Sequence, residues 1–226
     1  MSHEQIGLDP VIASSQSRTS TYQSPILLLL VGLPASGKTA LAQCLVTESP
    51  ALNLDSFSRK WIRASQDDSP NRRRQEVEDL VRDGLLAGDN VVVDRMNFDA
   101  RQRAHFLDIA RSLPMPTQTW CIILNTSLSA IKSRLESRTN HPTITTAEHG
   151  LDIIDKMKYQ YRPPHPTLVE GFDRILQLED ADQPEGGLWS PERLRALLLR
   201  ISERGHREPV GGPRFSSAPA LGGRGR

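Results

Sequence analysis

The octapeptide Gly32-Leu33-Pro34-Ala35-Ser36-Gly37-Lys38-Thr39 stands between an apolar run, Ile26 to Val31, and the helix-like stretch Ala40 to Val46. Strand, glycine-rich loop and helix in that order make a phosphate cradle, and the residue pattern is that of a P-loop. Glycines 32 and 37, with Ala35 and Ser36 between them, let backbone N–H groups converge on phosphate oxygens, while the helix that follows points its positive end at the same anion. Lys38 is expected to reach the β- and γ-phosphates of a nucleoside triphosphate, and Thr39 to hold Mg²⁺. ATP and Mg²⁺ are therefore the expected ligands. A plain turn between a strand and a helix accounts for neither the Lys-Thr pair nor the buried-type strand before it.

Other side chains gain meaning from this loop. Asp55 follows the strand-like Ala51-Leu52-Asn53-Leu54, where a carboxylate could take the proton of an attacking hydroxyl or could simply cap a helix. Asp94 closes the run Val91-Val92-Val93, as a magnesium-ordering carboxylate or as an ordinary turn residue. Asn97, in the same turn, could bind substrate or cap the helix that begins near Ala100. Arg134 and Arg138 lie one helical turn apart and share a face, either closing over a triphosphate or facing solvent. Thr139 to Thr146 reads as a lid-like loop after them. Arg72, Arg73 and Arg74 crowd the start of a helix, where positive charge calls for solvent or an anion. The expected acceptor groove is lined by the region around Asp55, Arg59, Arg72 to Arg74 and Asn97. The histidines at 105, 141, 149 and 165 show no metal-ligand spacing.

The elements that must position these groups alternate along the chain. Strands are expected at 26–31, 51–54, 90–93, 119–124 and 174–178, and helices at 38–46, 71–87, 100–112, 129–137, 147–161 and 191–202. That alternation predicts an α/β fold, a parallel sheet with helices on both faces and a helical lid, with ligands at the carboxyl ends of the strands. Residues 1–24 and 205–226, poor in large apolar groups, read as a disordered leader and tail around a domain spanning 25–204. The formal net charge of +1 over 226 residues points to no particular partner. Two cysteines make no disulfide framework, and no apolar run is long enough for a membrane span, so an intracellular address, cytoplasm or nucleus, is expected.

Taken together, several segments resemble the kinase domain of polynucleotide 5′-hydroxyl kinases, over about residues 26 to 180. They are the P-loop octapeptide, Asn53-Leu54-Asp55-Ser56, Val93-Asp94-Arg95-Met96-Asn97-Phe98-Asp99, Arg134-Leu135-Glu136-Ser137-Arg138, and Pro164 to Phe172. The resemblance implies that Asp55 is the general base for a 5′-hydroxyl, that Lys38, Thr39 and Arg138 serve the transferred phosphoryl group, and that Arg134 serves the nucleotide. Two departures fall on the acceptor side. Leu54 stands where the family usually has Arg, and Arg95-Met96 stands where it has a small polar pair. The reading is thus an ATP-dependent kinase acting on a hydroxyl, foremost the 5′-hydroxyl of a DNA or RNA end. A P-loop kinase for sugars or antibiotics and a nucleotide-hydrolysing switch module are the alternatives.

Overall fold

Six consecutive apolar residues have no face to offer water, and Ile26–Val31 (β1) is buried along its whole length in the middle of a sheet. The computed structural model describes residues 24–52, 59–137, 147–165 and 169–208. The sheet also contains Trp61–Ser65 (β2), Asn90–Asp94 (β3), Gln118–Leu124 (β4) and Arg174–Leu178 (β5), in the order β2-β3-β1-β4-β5. Every pairing is parallel. Parallel neighbours need crossovers, and these are helices: Lys38–Glu48 (α1), Arg74–Leu86 (α2), Ala100–Ser112 (α3), Leu128–Ser137 (α4) and Ala147–Lys158 (α5), with Pro191–Arg204 (α6) after β5.

Successive strand residues point to opposite faces, and β1 divides its side chains accordingly. Ile26, Leu28 and Leu30 pack with Leu41 and Leu45 of α1 and Leu194, Leu198 and Ile201 of α6. Leu27, Leu29 and Val31 pack with Val77 and Val81 of α2 and Phe106 and Leu107 of α3. A third, smaller cluster joins Ile131 and Leu135 of α4 to Ile154 of α5 and to Ala35 in the P-loop.

The α/β class and four of the five expected strands agree with the structure. The second strand does not over its described residues, Asn53 and Leu54 lying outside them. Ser49–Ala51 is a 3-10 turn with Pro50 in its first positions, so the chain leaves α1 by turning rather than extending. The strand forms at Trp61–Ser65 instead, paired with β3 from Trp61↔Asn90 to Ser65↔Asp94. The start of α2 also moves. Arg72 has φ +52°, and Glu76 accepts the backbone N–H groups of Asn71 at 3.1 Å and Arg73 at 3.3 Å, so the helix begins at Arg74. Residues 205–208, expected to open the tail, are built into the fold: His206 bridges Ile175 in antiparallel sense, and Glu208 accepts the N–H of Phe172 at 2.9 Å.

A buried ion pair ties three loops together. Arg103 on α3 and Glu170 before β5 are 1% and 0% exposed and meet through two bonds of 2.7 and 2.6 Å. The remaining Arg103 nitrogen donates to the carbonyls of Asn97 at 2.8 Å and Arg162 at 2.9 Å. Removing one partner strands the other charge in the core. Glu170→Ala is expected to lower unfolding stability by about 3–5 kcal/mol in chemical denaturation; a loss below about 1 kcal/mol would mean that water reaches the pair.

Candidate active site

The P-loop leaves β1 at Val31 and is bent by two residues in the left-handed region, Ala35 at φ +61° and Gly37 at φ +103°. Glycine is required by close approach as well: a Cβ on Gly32 would lie 2.5 Å from Ser36 Oγ, and one on Gly37 would lie 2.9 Å from Gln183 Oε1. α1 then begins at Lys38. The Lys38 ammonium folds over the loop and donates to the carbonyls of Gly32 at 2.9 Å and Leu33 at 2.7 Å. Thr39, on the first turn of α1, is exposed.

One side of the loop is braced by side chains far away in sequence. Thr126 Oγ1 donates to the Ser36 carbonyl at 3.0 Å, and Arg134 Nη1 donates to the Ala35 carbonyl at 3.3 Å. Gln183 joins these two, accepting from Arg134 at 3.1 Å and donating to Thr126 at 2.8 Å. The network borders a pocket of about 300 Å³ lined by Ala35, Gly37, Ala40, Arg134, Gln183 and Trp189.

On the other side lies a wider cleft of about 480 Å³ that includes Pro34 of the loop, Asp67, Arg72, Asp94, Arg95 and Met157. β2 ends at Ser65 beside Asp94 of β3, so Asp67 emerges at the carboxyl edge of the sheet. Asp94 is buried and its Oδ2 accepts from Arg63 Nε at 2.9 Å and Nη2 at 2.7 Å. Arg63 also pairs with Asp68. Asp67 is exposed and has no ion-pair partner among the described residues. Arg95 lines the cleft with a guanidinium whose proton affinity is pushed down, first by burial and then by Arg74, while Glu78 partly opposes.

The structure therefore brings together Gly32, Ala35, Ser36, Gly37, Lys38, Thr39, Arg134 and Asp94. Asp55, Arg138 and the loop 139–146 lie outside the described residues. Two expected acceptor residues are elsewhere. Arg59 donates to the Gly88 carbonyl at 2.6 Å, in the turn leading into β3 and so at the opposite edge of the sheet from the P-loop. Asn97 is 0% exposed, and its amide donates to the Leu30 carbonyl at 2.8 Å, so it anchors the loop after β3 to β1 instead of lining the cleft. Capping of α3 falls to Asp99, which accepts from the Gln102 N–H at 2.7 Å. Of the basic cluster, Arg72 lines the cleft, whereas Arg74 pairs with Glu78 at 2.8 Å. Sequence reasoning missed Asp67 and Gln183. Placing β2 at Trp61–Ser65 would have revealed Asp67; nothing local to Gln183 marks it.

Residues 27–164, more than half of the chain, match the model of an AAA domain. The chain belongs to the AAA domain family. The Arabidopsis thaliana protein "Transcription factor bHLH140" is 25% identical over 166 residues, 72% of this chain, and the chain spans only 17% of that protein's length. Among solved structures, a fungal RNA kinase is similar with a TM-score of 0.57 at 15% identity, over 80% of this chain and 88% of that one. Kti12 from Chaetomium thermophilum, solved with ADP-AlF3, is similar with a TM-score of 0.51 at 16% identity, over 77% of this chain and 98% of that one. Both share the fold. No helix among the described residues is long and apolar enough to cross a membrane.

Gln183 lies beyond the family match yet braces the P-loop. Gln183→Ala is expected to weaken ATP binding about 3- to 10-fold in calorimetry, the scale of one lost hydrogen bond. An unchanged dissociation constant would show that the loop holds its shape without this brace.

Proposed function

We propose that this chain is an ATP-dependent kinase that transfers the γ-phosphoryl group to a hydroxyl, foremost the 5′-hydroxyl of a DNA or RNA end, with Asp67 as general base. The observation that carries the reading is the placement of Asp67: an exposed carboxylate with no ion-pair partner among the described residues, two residues beyond the end of β2, on a cleft that shares Pro34 with the P-loop. The role that the resemblance implied for Asp55 is assigned to Asp67 because Asp67 is the first carboxylate after β2. Asp94, with one carboxylate oxygen held by two nitrogens of Arg63, is less free to take a proton.

In this reading the triphosphate lies along the P-loop with its base toward Arg134, Gln183 and Trp189, and the acceptor enters the cleft beside Asp67. The acceptor oxygen attacks phosphorus, the bond from phosphorus to the departing ADP oxygen breaks, and the hydroxyl proton passes to the Asp67 carboxylate. Positioning and charge neutralisation supply most of the acceleration, as phosphoryl transfer requires. Lys38 and Arg134 provide cations, and Arg138 is retained as a third on the sequence alone. Thr39 and Asp94 offer a hydroxyl and a carboxylate oxygen near the loop, a donor set that suits Mg²⁺, which when bound would neutralise charge on the phosphates. Among the described residues no cluster of three or more His, Cys, Asp or Glu forms a metal cage, which fits an ion held mainly by phosphate and water. The fold shared with a fungal RNA kinase is compatible with a nucleic-acid acceptor.

The test is transfer of labelled γ-phosphate from ATP to 5′-hydroxyl DNA and RNA oligonucleotides, run beside sugars and nucleosides. Label is expected on the oligonucleotide 5′ end. Asp67→Asn is expected to slow transfer about 10²- to 10⁴-fold while ATP affinity stays nearly constant. Loss of activity in Asp55→Ala but not in Asp67→Asn would return the base to Asp55. Label confined to small molecules would make this a small-molecule kinase, and free phosphate alone a hydrolysing switch.

A further inference from the structure

Withdrawing a guanidinium from water is costly unless a carboxylate balances it. Partly buried Arg63 meets Asp94 at 2.7 Å, and buried Arg103 meets Glu170 at 2.6 Å. Arg95 differs. Among the described residues it has no carboxylate at ion-pair distance, and its Nη1 is sealed from solvent without a hydrogen-bond partner. Its support is the ring of Phe106, whose centroid lies 5.9 Å away and which is itself fully buried. That contact steadies the cation from the core side but gives Nη1 no acceptor.

The surroundings add to the excess of positive charge. Arg74 acts on Arg95 as a like charge, and Glu78, which opposes it, already accepts from Arg74 at 2.8 Å. Arg72 shares the cleft with Arg95. Its backbone is held in the left-handed region at φ +52°, with its carbonyl accepting from Gln66 Nε2 at 2.6 Å. A side chain bigger than glycine stays in that region only when its surroundings hold it there. Two guanidinium-bearing residues thus line the same cleft as the carboxylate of Asp67. Met96, Phe98 and Met157 give the cleft an apolar part.

We propose that Arg95 determines acceptor specificity: with Arg72 it binds a phosphate group that the acceptor carries near the hydroxyl to be phosphorylated, so that a neutral molecule bearing the same hydroxyl is a poor substrate. This inference rests on the kinase reading above and adds to it the residue that reads the acceptor's charge. A planar guanidinium fork matches phosphate oxygens in a way that an ammonium does not. The anion supplies the countercharge that the protein withholds from Arg95, and the apolar part of the cleft receives the uncharged body of the acceptor.

Thymidine 3′-monophosphate and thymidine present the same 5′-hydroxyl with and without the anion. At saturating ATP and Mg²⁺ the wild-type chain is expected to prefer the phosphorylated acceptor by roughly 10- to 100-fold in kcat/KM, the range of one charge-assisted contact. Arg95→Met keeps an apolar contact with Phe106 and removes the charge. It is expected to raise KM for thymidine 3′-monophosphate by roughly that factor, to leave its kcat within about twofold, and to leave thymidine unaffected. Arg95→Lys is expected to recover only part of the preference, and it serves as the test variant should Arg95→Met fold poorly. Equal losses on both acceptors, or no loss on either, would overturn the proposal. If neither acceptor is labelled, the kinase reading fails and binding alone decides. Calorimetric binding of thymidine 3′-monophosphate but not thymidine, lost in the Arg95 variant, sustains the anion site; equal or absent binding overturns it.

Discussion

β1 is sealed on both faces, and this constraint organises the molecule. A strand with six buried apolar residues must lie inside a sheet with helices above and below it, and helical crossovers make the neighbouring strands parallel. In a parallel sheet all carboxyl ends share one edge, so chemistry that needs several strands can be assembled only there. The P-loop leaves β1 at that edge, Asp94 closes β3, Asp67 follows β2, and Thr126 follows β4. Their convergence is a consequence of the register. Arg59 shows the same rule from the other side: near the amino end of β2 it meets Gly88 and has no access to the P-loop edge.

The larger cleft depends on a second, costlier device. Asn97 sits at φ +47°, a strained conformation for a residue with a side chain. Its amide holds the Leu30 carbonyl and its own carbonyl is held by Arg103, whose charge is balanced by Glu170. The loop carrying Arg95, Met96 and Phe98 is therefore fastened at once to the central strand, to α3 and to the segment before β5. Buried ion pairs contribute little net stability compared with apolar packing, so their structural value lies in fixing one arrangement. Here that arrangement is the wall of the cleft.

The parts of the fold that were legible from sequence are those where one physical demand dominates. Continuous apolar runs marked β1, β3 and β4, and the helix expected at 100–112 has the ends of α3. β2 was hidden because it is an edge strand in which Ile62 and Arg63 are only partly buried, so its residues do not form an apolar run. Ala51-Leu52 looked more strand-like, yet Pro50 turns the chain there. With the strand misplaced, the carboxylate of Asp67 that follows β2 went unmarked. Gln183 was illegible for another reason. Its role depends on Arg134 and Thr126, 49 and 57 residues away, and no local pattern encodes a brace between such distant segments.

Lys38 links the two halves of the site. Its ammonium is held by the Gly32 and Leu33 carbonyls, so a triphosphate must draw it away from bonds of 2.9 and 2.7 Å to use it. Trading carbonyl acceptors for anionic oxygens replaces neutral hydrogen bonds with charge-assisted ones, which favours the change when phosphate is present and opposes it otherwise. The backbone left behind is kept in shape by the contacts of Thr126 and Arg134 with Ser36 and Ala35. Those contacts approach from the side of the smaller pocket, whereas Pro34 faces the cleft of Asp67 and Arg95. The braces that shape the phosphate loop therefore leave the wall of the larger cleft open, so the proposed donor nucleotide and acceptor would have space on opposite sides of the same loop.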